Sequence, residues 1–198
     1  MTSAASPPLI LASSSPYRQA LLRRLGLPFT SVAPKVDEVP RPGERPAETA
    51  LRLAEAKARA VAAAHPDALV IGSDQVAEFG GEALGKPRDP EDALEQLRSM
   101  RGRTIVFHTA IALLNARSGR CQTALVDVAS TFRSLDDAAL QAYLDREQPF
   151  DCAGSVKAEA LGIALFTRIA SDDPTALIGL PLIRLTDMLL AEGVSPLP

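Results

Sequence analysis

The sequence predicts a mixed α/β protein with one elongated β-sheet flanked by helices. Apolar runs of strand length alternate with helix-type patterns along the chain, and two pairs of such runs are joined by Gly-containing turns typical of antiparallel hairpins. The chain has 198 residues, of which 46% are hydrophobic and 23% charged. This is enough for one sizeable core, in one domain or in two closely joined lobes.

Charge and composition exclude several functional classes. The 21 basic and 24 acidic side chains give a net charge of -3, and no Lys/Arg run could neutralise a line of phosphates, so we expect no nucleic-acid partner. No apolar stretch approaches the roughly 20 residues of a membrane helix. The N-terminal segment has no basic region followed by a long apolar run, which predicts no signal peptide and a cytoplasmic protein.

The two cysteines, Cys121 and Cys152, have no CxxC or Cys/His spacing around them. This pattern favours neither a zinc site nor a disulfide framework, and we expect both to be core thiols.

The N-terminal part predicts two short strands around a helix. Residues 9–13 are typical of a buried strand, and Ser15 followed by Pro16 provides an N-cap and a first helical residue. Gly26 then ends this helix, and residues 29–33 predict a second strand.

The next part of the chain contains two carboxylates, Glu38 in a proline-rich loop and Asp74 near the end of a predicted strand. Residues 34–46, which include Glu38, contain too many prolines for regular structure and predict an ordered loop or a mobile flap. An Ala-rich helix over residues 47–64 precedes an apolar strand over residues 68–72. Asp74 would then lie just beyond the carboxyl end of that strand.

The rest of the chain alternates in the same way. We expect, in order, a hairpin over 76–84, a helix from 89 to 100, strands over 104–116 and 121–133, a helix over 136–146, a strand near 163–169 and a helix over 182–192.

The serines before the first helix form a candidate phosphate site. Helix N-terminal amides, the hydroxyls of Ser13 and Ser15 and the helix dipole together favour an anion, and Arg18 could bind the same group. Plain helix capping with a solvated Arg18 is the alternative.

Asp74 and Glu38 are candidates for metal or acid–base chemistry. Open α/β sheets expose catalytic side chains at strand ends, and phosphate-ester chemistry commonly uses two carboxylates with a divalent ion. The alternative for Asp74 is a turn cap. His65 and His108 are both interpreted as structural.

The segment from Gly80 to Lys86 matches most of the P-loop pattern G-x-x-x-x-G-K-[ST]. Pro87 replaces the metal-binding hydroxyl, and the segment closes a hairpin, so we reject a P-loop. Lys86 remains a candidate phosphate contact.

The chain has 17 Arg and four Lys: Lys35, Lys57, Lys86 and Lys157. Since Arg supplies most of the positive charge, each retained Lys suggests a site that requires a compact ammonium.

Seven collinear segments together resemble one known family. They are LILASSSPYRQALLRRLGLPF from Leu9, VDE from Val36, RLAEAKA from Arg52, IGSDQV from Ile71, GKP from Gly85, CAGSVKAEALGI from Cys152 and GLPL from Gly179. This string resembles the Maf proteins, which are nucleoside triphosphate pyrophosphatases. The forms around Asp74 and Glu159 look like the subgroup that hydrolyses 7-methyl-GTP, whereas the dTTP/UTP subgroup usually has Asp-Thr and a Gln at these positions.

The resemblance implies an inosine triphosphatase-like fold in which a single domain over residues 1–198 forms two lobes around a cleft. It also implies a role for each matching side chain. The implied roles are catalytic for Asp74, Lys57 and Lys86, substrate-binding for Ser13, Ser15, Arg18 and Lys157, base-selecting for Tyr17, Gln75 and Glu159, and metal-binding for Glu38 and Asp74. Tyr17 departs from the Trp familiar in this subgroup.

The implied reaction converts 7-methyl-GTP to 7-methyl-GMP and pyrophosphate with Mg²⁺ or Mn²⁺. Two alternatives stay open: a pyrophosphatase for other nucleotides such as dTTP or UTP, and a nucleotide-binding regulator of cell division. The expected partner is a small nucleotide, and a homodimer is kept as an option.

Overall fold

The computed structural model describes residues 7–197. Residues 1–6 and 198 lie outside the described residues. They include both ends of the expected single domain and the start of the N-terminal segment for which no signal peptide is predicted.

The described residues form seven strands and five α-helices. The strands are β1 (Leu9–Leu11), β2 (Thr30–Ser31), β3 (Leu69–Phe79), β4 (Glu82–Leu84), β5 (Thr104–Asn115), β6 (Cys121–Phe132) and β7 (Phe166–Ala170). The helices are α1 (Pro16–Arg23), α2 (Pro46–Ala62), α3 (Pro90–Met100), α4 (Asp137–Glu147) and α5 (Leu182–Ala191). Three short 3₁₀ helices lie between α4 and α5.

All seven strands belong to one mixed sheet. The strand order is β2-β1-β3-β5-β6-β7, and β4 pairs with β3. β1 is parallel to both β2 and β3, whereas β3, β5, β6 and β7 pair antiparallel. The mixed α/β class predicted from the sequence is therefore confirmed.

β3 is longer than the sequence predicts, which changes the position of Asp74. The strand does not end near Gly72, because its pairing with β5 continues without interruption from Leu69 to Glu78. The parallel pairing with β1 stops at Ile71. Asp74 therefore lies in the middle of β3, just past the point where its parallel neighbour ends.

Helices cover the parallel end of the sheet on both faces. Alternate residues of β1 and β3 point to opposite sides: Ile10 and Val70 pack with α2, whereas Leu11 and Ile71 pack with α1 and α5. A third apolar cluster, around Phe107, joins the antiparallel end to α3 and α4.

Two expectations need correction. Neither Cys121 nor Cys152 is a core thiol, because both are half-buried. The strand expected near 163–169 begins only at Phe166, since residues 161–165 form a 3₁₀ turn. Within residues 7–197, no helix is long and apolar enough to cross a bilayer.

Gly72 allows α2 to lie directly against β3. A Cβ at this position would lie 2.0 Å from the Ala54 carbonyl oxygen and 2.8 Å from the Ala58 nitrogen, both of which are backbone atoms. Neither neighbour can move without shifting the helix, so the close approach requires a residue without a side chain.

Gly72→Ala should therefore lower the free energy of unfolding by about 3 kcal/mol, at the upper end of overpacking costs. Urea denaturation would measure the change. Gly85→Ala is the control, because nothing lies within 4 Å of a Cβ there, and it should stay within about 0.5 kcal/mol of the unsubstituted protein. Equal stabilities for the two variants would contradict the tight α2–β3 contact.

Candidate active site

A cleft of about 640 Å³ opens beside the middle of β3. Its walls are the N-terminus of α1, the loop before α2, the β3–β4 hairpin and the segment that follows α4. This volume is in the range of small-molecule sites. Neither His65 nor His108 lines it, which agrees with their interpretation as structural residues.

The start of α1 forms one end of the cleft. Ser15 is the N-cap, and its hydroxyl accepts a hydrogen bond from the Arg18 amide. The buried Ser13 hydroxyl accepts one from the Ser15 amide at 3.1 Å. With Pro16 at the first helical position, this turn presents hydroxyls and helix-terminal amides to the cavity.

Arg18 is held in place by the backbone before α5. Its Nε donates to the Gly179 carbonyl oxygen at 2.9 Å, and its terminal nitrogens make no hydrogen bond to residues 7–197. Burial lowers the pKa of Arg18, whereas the charges of Asp74 and Glu38 raise it. Its guanidinium still has donors available for an anion in the cleft.

A lysine joins the two carboxylates predicted as metal ligands. The Lys57 Nζ lies 2.6 Å from Asp74 Oδ1 and 2.9 Å from Glu38 Oε1. Lys57 and Asp74 are buried, whereas the Glu38 side chain is 58% exposed. Burial raises the pKa of Asp74, although the charges of Lys57 and Arg18 oppose this effect.

The proline-rich loop is ordered through contacts with α2. Arg52 donates to Glu44 at 2.5 Å and to the Val39 carbonyl at 3.2 Å. The hydrogen bond from Arg52 lowers the pKa of Glu44 to about 2. These contacts fix the segment as a loop against α2 and hold Glu38 over Lys57, and the mobile-flap alternative stays a prediction.

Lys86 lies at the edge of the cleft, after the β3–β4 hairpin. Its side chain is exposed and makes no salt bridge within the described part of the chain. Gly80 and Gly81 both have positive φ in the turn of this hairpin, which confirms that they are turn residues and not part of a P-loop.

A second group of residues that line the cleft is aromatic and acidic, and it lies where Tyr17 of α1 meets the segment after α4. Tyr17, Asp151, Cys152 and Glu159 all line it, and the Tyr17 hydroxyl donates to Asp151 Oδ2 at 3.3 Å. Burial, followed by the charge of Asp151, raises the pKa of Tyr17 to about 12. Burial also raises the pKa of Glu159.

Gln75 also lines the cleft, and the protein already binds its amide nitrogen. Nε2 donates to Thr109 Oγ1 at 2.9 Å and to the carbonyl oxygens of Ala176 and Leu177, each at 3.0 Å. The amide oxygen is therefore the atom that Gln75 can offer to a ligand.

Comparison with known proteins identifies the family. The profile described as "Maf-like protein" matches residues 8–192. This chain belongs to the Maf family.

Several relatives within the Maf family are similar over nearly their whole length. A protein named 7-methyl-GTP pyrophosphatase from Thiobacillus denitrificans is 60% identical over 192 residues, which cover 97% of this chain and 96% of the relative. One of the same name from Ralstonia nicotianae is 61% identical, covering 92% and 94% of the two chains. Another, from Bordetella pertussis, is 58% identical and covers 96% and 95%.

The Maf cleft brings together all but one of the predicted site residues. Those that line it are Ser13, Ser15, Tyr17, Arg18, Glu38, Lys57, Asp74, Gln75, Lys86 and Glu159. Lys157 does not line the cleft. Its Nζ donates to the backbone carbonyls of Glu147 and Gln148, so this lysine fixes the end of α4.

Sequence reasoning missed Asp151. The residue lies in no motif that we recognised, and it reaches the cleft only because the segment after α4 folds back toward α1. Its contact with Tyr17 joins positions 134 residues apart, and no sequence signal marks it.

Lys57→Met should destabilise this Maf protein by about 3 to 5 kcal/mol at neutral pH, because Asp74 would remain buried without its cation. Lys57 lowers the Asp74 pKa, so removing it raises that pKa further. The loss of stability should therefore shrink as the pH falls and Asp74 takes up a proton. Urea denaturation between neutral and acid pH measures both effects.

Two variants control this experiment. Arg59→Met, which removes an exposed pair with Glu55, should cost no more than about 0.5 kcal/mol. Lys57→Met combined with Asp74→Asn should recover most of the loss. A double variant as unstable as Lys57→Met alone would show that the buried charge is not the cause.

Proposed function

We propose that this Maf protein hydrolyses the bond between the α- and β-phosphates of 7-methyl-GTP, which yields 7-methyl-GMP and pyrophosphate. The observation that supports this most directly is that the residues lining the cleft fall into two groups: Arg18, Lys57 and the helix amides around Asp74, and Tyr17 with Asp151 and Glu159. The names of the similar relatives agree with it.

The cationic end suits a triphosphate. Hydrolysis at the α-phosphorus forms a bond from water and breaks the bond to the bridging oxygen, so negative charge develops on the departing pyrophosphate. Arg18 and Lys86 have donors that are not used by residues 7–197, and the start of α1 adds amides and hydroxyls. Such preorganised positive groups stabilise developing charge.

Asp74 is the residue that we propose to accept the proton of the attacking water. Its Oδ1 is bound to Lys57, and its Oδ2 makes no hydrogen bond within residues 7–197, so one oxygen can orient water. Burial raises its pKa, which makes the carboxylate a stronger base than an exposed one.

The carboxylates also fit a divalent ion such as Mg²⁺ or Mn²⁺. Asp74 and Glu38 supply two carboxylates, so the protein donors are all oxygen atoms. No group of three or more His, Cys, Asp or Glu side chains suited to a metal occurs among the described residues, so the protein would provide only these two carboxylates. Mg²⁺ is commonly held by one or two carboxylates together with substrate phosphates. When bound, the ion would neutralise phosphate charge. Lys57 would then keep the two carboxylates in place.

The group that contains Tyr17, Asp151 and Glu159, which we call the base end of the cleft, suits 7-methylguanine. Methylation at N7 makes the base cationic and N1 more acidic. A cation over the Tyr17 ring contributes about 0.5 to 2 kcal/mol, and each charge-assisted hydrogen bond from N1-H or N2-H to Glu159 about 1.5 to 3 kcal/mol. We therefore assign the choice of guanine mainly to Glu159. The Gln75 oxygen and the Tyr17 ring are the other base-selecting groups.

The alternatives make different predictions. A dTTP or UTP pyrophosphatase would not depend on a carboxylate at Glu159, since a Gln suits a pyrimidine, whereas Glu159→Gln should impair hydrolysis of a guanine nucleotide. A regulator of cell division would bind nucleotide without turnover. The cytoplasmic location and the homodimer option stay predictions.

Purified protein with Mg²⁺ or Mn²⁺ should release pyrophosphate from 7-methyl-GTP faster than from GTP, UTP or dTTP, because only the first combines a cationic base with the guanine hydrogen-bonding edge. A coupled pyrophosphate assay measures this. Faster hydrolysis of UTP or dTTP would overturn the proposed substrate. Release of orthophosphate instead of pyrophosphate would overturn the proposed bond, and tight binding without turnover would favour the regulator.

Asp74→Asn should lower kcat at least about 100-fold, since the amide cannot accept the proton. The matched control is Asp67→Asn, which alters an exposed pair with Arg117 outside the cleft and should keep full activity. Unchanged kcat in Asp74→Asn would reject Asp74 as the base.

A further inference from the structure

Among the described residues that line the cleft, Asp151 is the acidic side chain that neither contacts Lys57 nor belongs to the matched motifs. It lies in the segment after α4, and its side chain is 58% exposed. Oδ2 accepts a hydrogen bond from the Tyr17 hydroxyl at 3.3 Å, and Oδ1 accepts one from Cys152 Sγ at 3.5 Å. The carboxylate therefore lies next to the ring proposed to stack on the base.

The charges around this carboxylate leave the base end of the cleft negative. Lys157 Nζ is 3.8 Å from Asp151 Oδ1, but it is turned toward two backbone carbonyls. The negative charges of Glu147 and Asp151 and the positive charge of Lys157 all act on Glu159, so this group contains three carboxylates and one lysine. The charge of Asp151 also helps to raise the pKa of Tyr17. It acts in the same direction on Cys152, whose pKa is raised to about 12 mainly by burial.

Neutral guanine and 7-methylguanine differ at this end of the cleft in two ways. Both present N1-H and N2-H, so hydrogen bonds to Glu159 can select guanine over pyrimidines. The methylated base adds a methyl group and a positive charge. A carboxylate beside the stacking ring attracts that charge and has no corresponding attraction for the neutral base.

We propose that Asp151 is a specificity-determining residue that favours a cationic 7-methylated purine over its neutral counterpart. This inference rests on the proposed function and goes beyond it, because it assigns the methylation selectivity to a residue outside the matched motifs. The hydrogen bond to Tyr17 gives Asp151 a second effect, since it restrains the position of the ring in the cleft.

Asp151→Asn separates charge from structure, because the amide oxygen can still accept from the Tyr17 hydroxyl. We expect the ratio of kcat/KM for 7-methyl-GTP to that for GTP to fall about fivefold, the size of a good exposed charge interaction. The fall should come from KM for 7-methyl-GTP, and GTP hydrolysis should stay unchanged. High salt should reduce the difference between the variant and the unsubstituted protein.

Two further variants complete the test. Asp145→Asn removes one negative charge from the exposed surface of α4, outside the cleft, and should leave the ratio unchanged. Tyr17→Phe removes the hydrogen bond but keeps the ring, and adding Asp151→Asn to it should still lower the ratio. If Asp151→Asn slows both nucleotides equally, or changes neither, the proposal is wrong.

Binding of 7-methylguanosine and guanosine, measured by calorimetry without metal, keeps this inference separate from the proposed reaction. If the protein hydrolyses no nucleotide, the proposed function fails, but a preference for 7-methylguanosine that Asp151→Asn abolishes would still support the role of Asp151. Equal binding of the two nucleosides to the unsubstituted protein would overturn that role.

Discussion

The bridge from Lys57 to Asp74 and Glu38 is the interaction on which the site depends. Burying Lys57 and Asp74 removes two charges from water, which costs several kcal/mol per ion before their attraction offsets it. The 2.6 Å contact is possible because α2 lies directly on β3, and Gly72 allows that approach. Core packing and the chemistry of the cleft therefore share one helix–strand contact.

The same bridge connects a loop to the core. Glu38 belongs to a proline-rich segment that could not form a helix or a strand, and its carboxylate reaches Lys57 because Arg52 anchors the loop through Glu44. Lys57 thus holds together three consecutive elements of the chain: the proline-rich loop, α2 and β3. For the proposed binding of a divalent ion and a triphosphate, the two carboxylates would already be in place, which would lower the cost of ordering them.

The sequence predicted local features well and long-range ones less well. The N-cap of α1, the turn at Gly80 and Gly81 and most helix bounds depend on neighbouring residues, and the structure confirms them. The extent of β3 was wrong, because it depends on pairing with β5. Asp151 was missed and Lys157 does not reach the cleft, since both positions follow from how the segment after α4 folds back.

The two ends of the cleft differ in how firmly the fold holds them. At the proposed phosphate end, Lys57 and Asp74 are buried and Arg18 is bound to the backbone at Gly179, so substitutions there also disturb packing or leave a charge unpaired. At the base end, Asp151 and Glu159 are exposed, and the contact of Tyr17 with Asp151 is long. Substitutions at these exposed residues should therefore change the free energy of unfolding only a little. The proposed phosphate site is therefore tied to the fold, whereas the proposed base site can vary on the same scaffold.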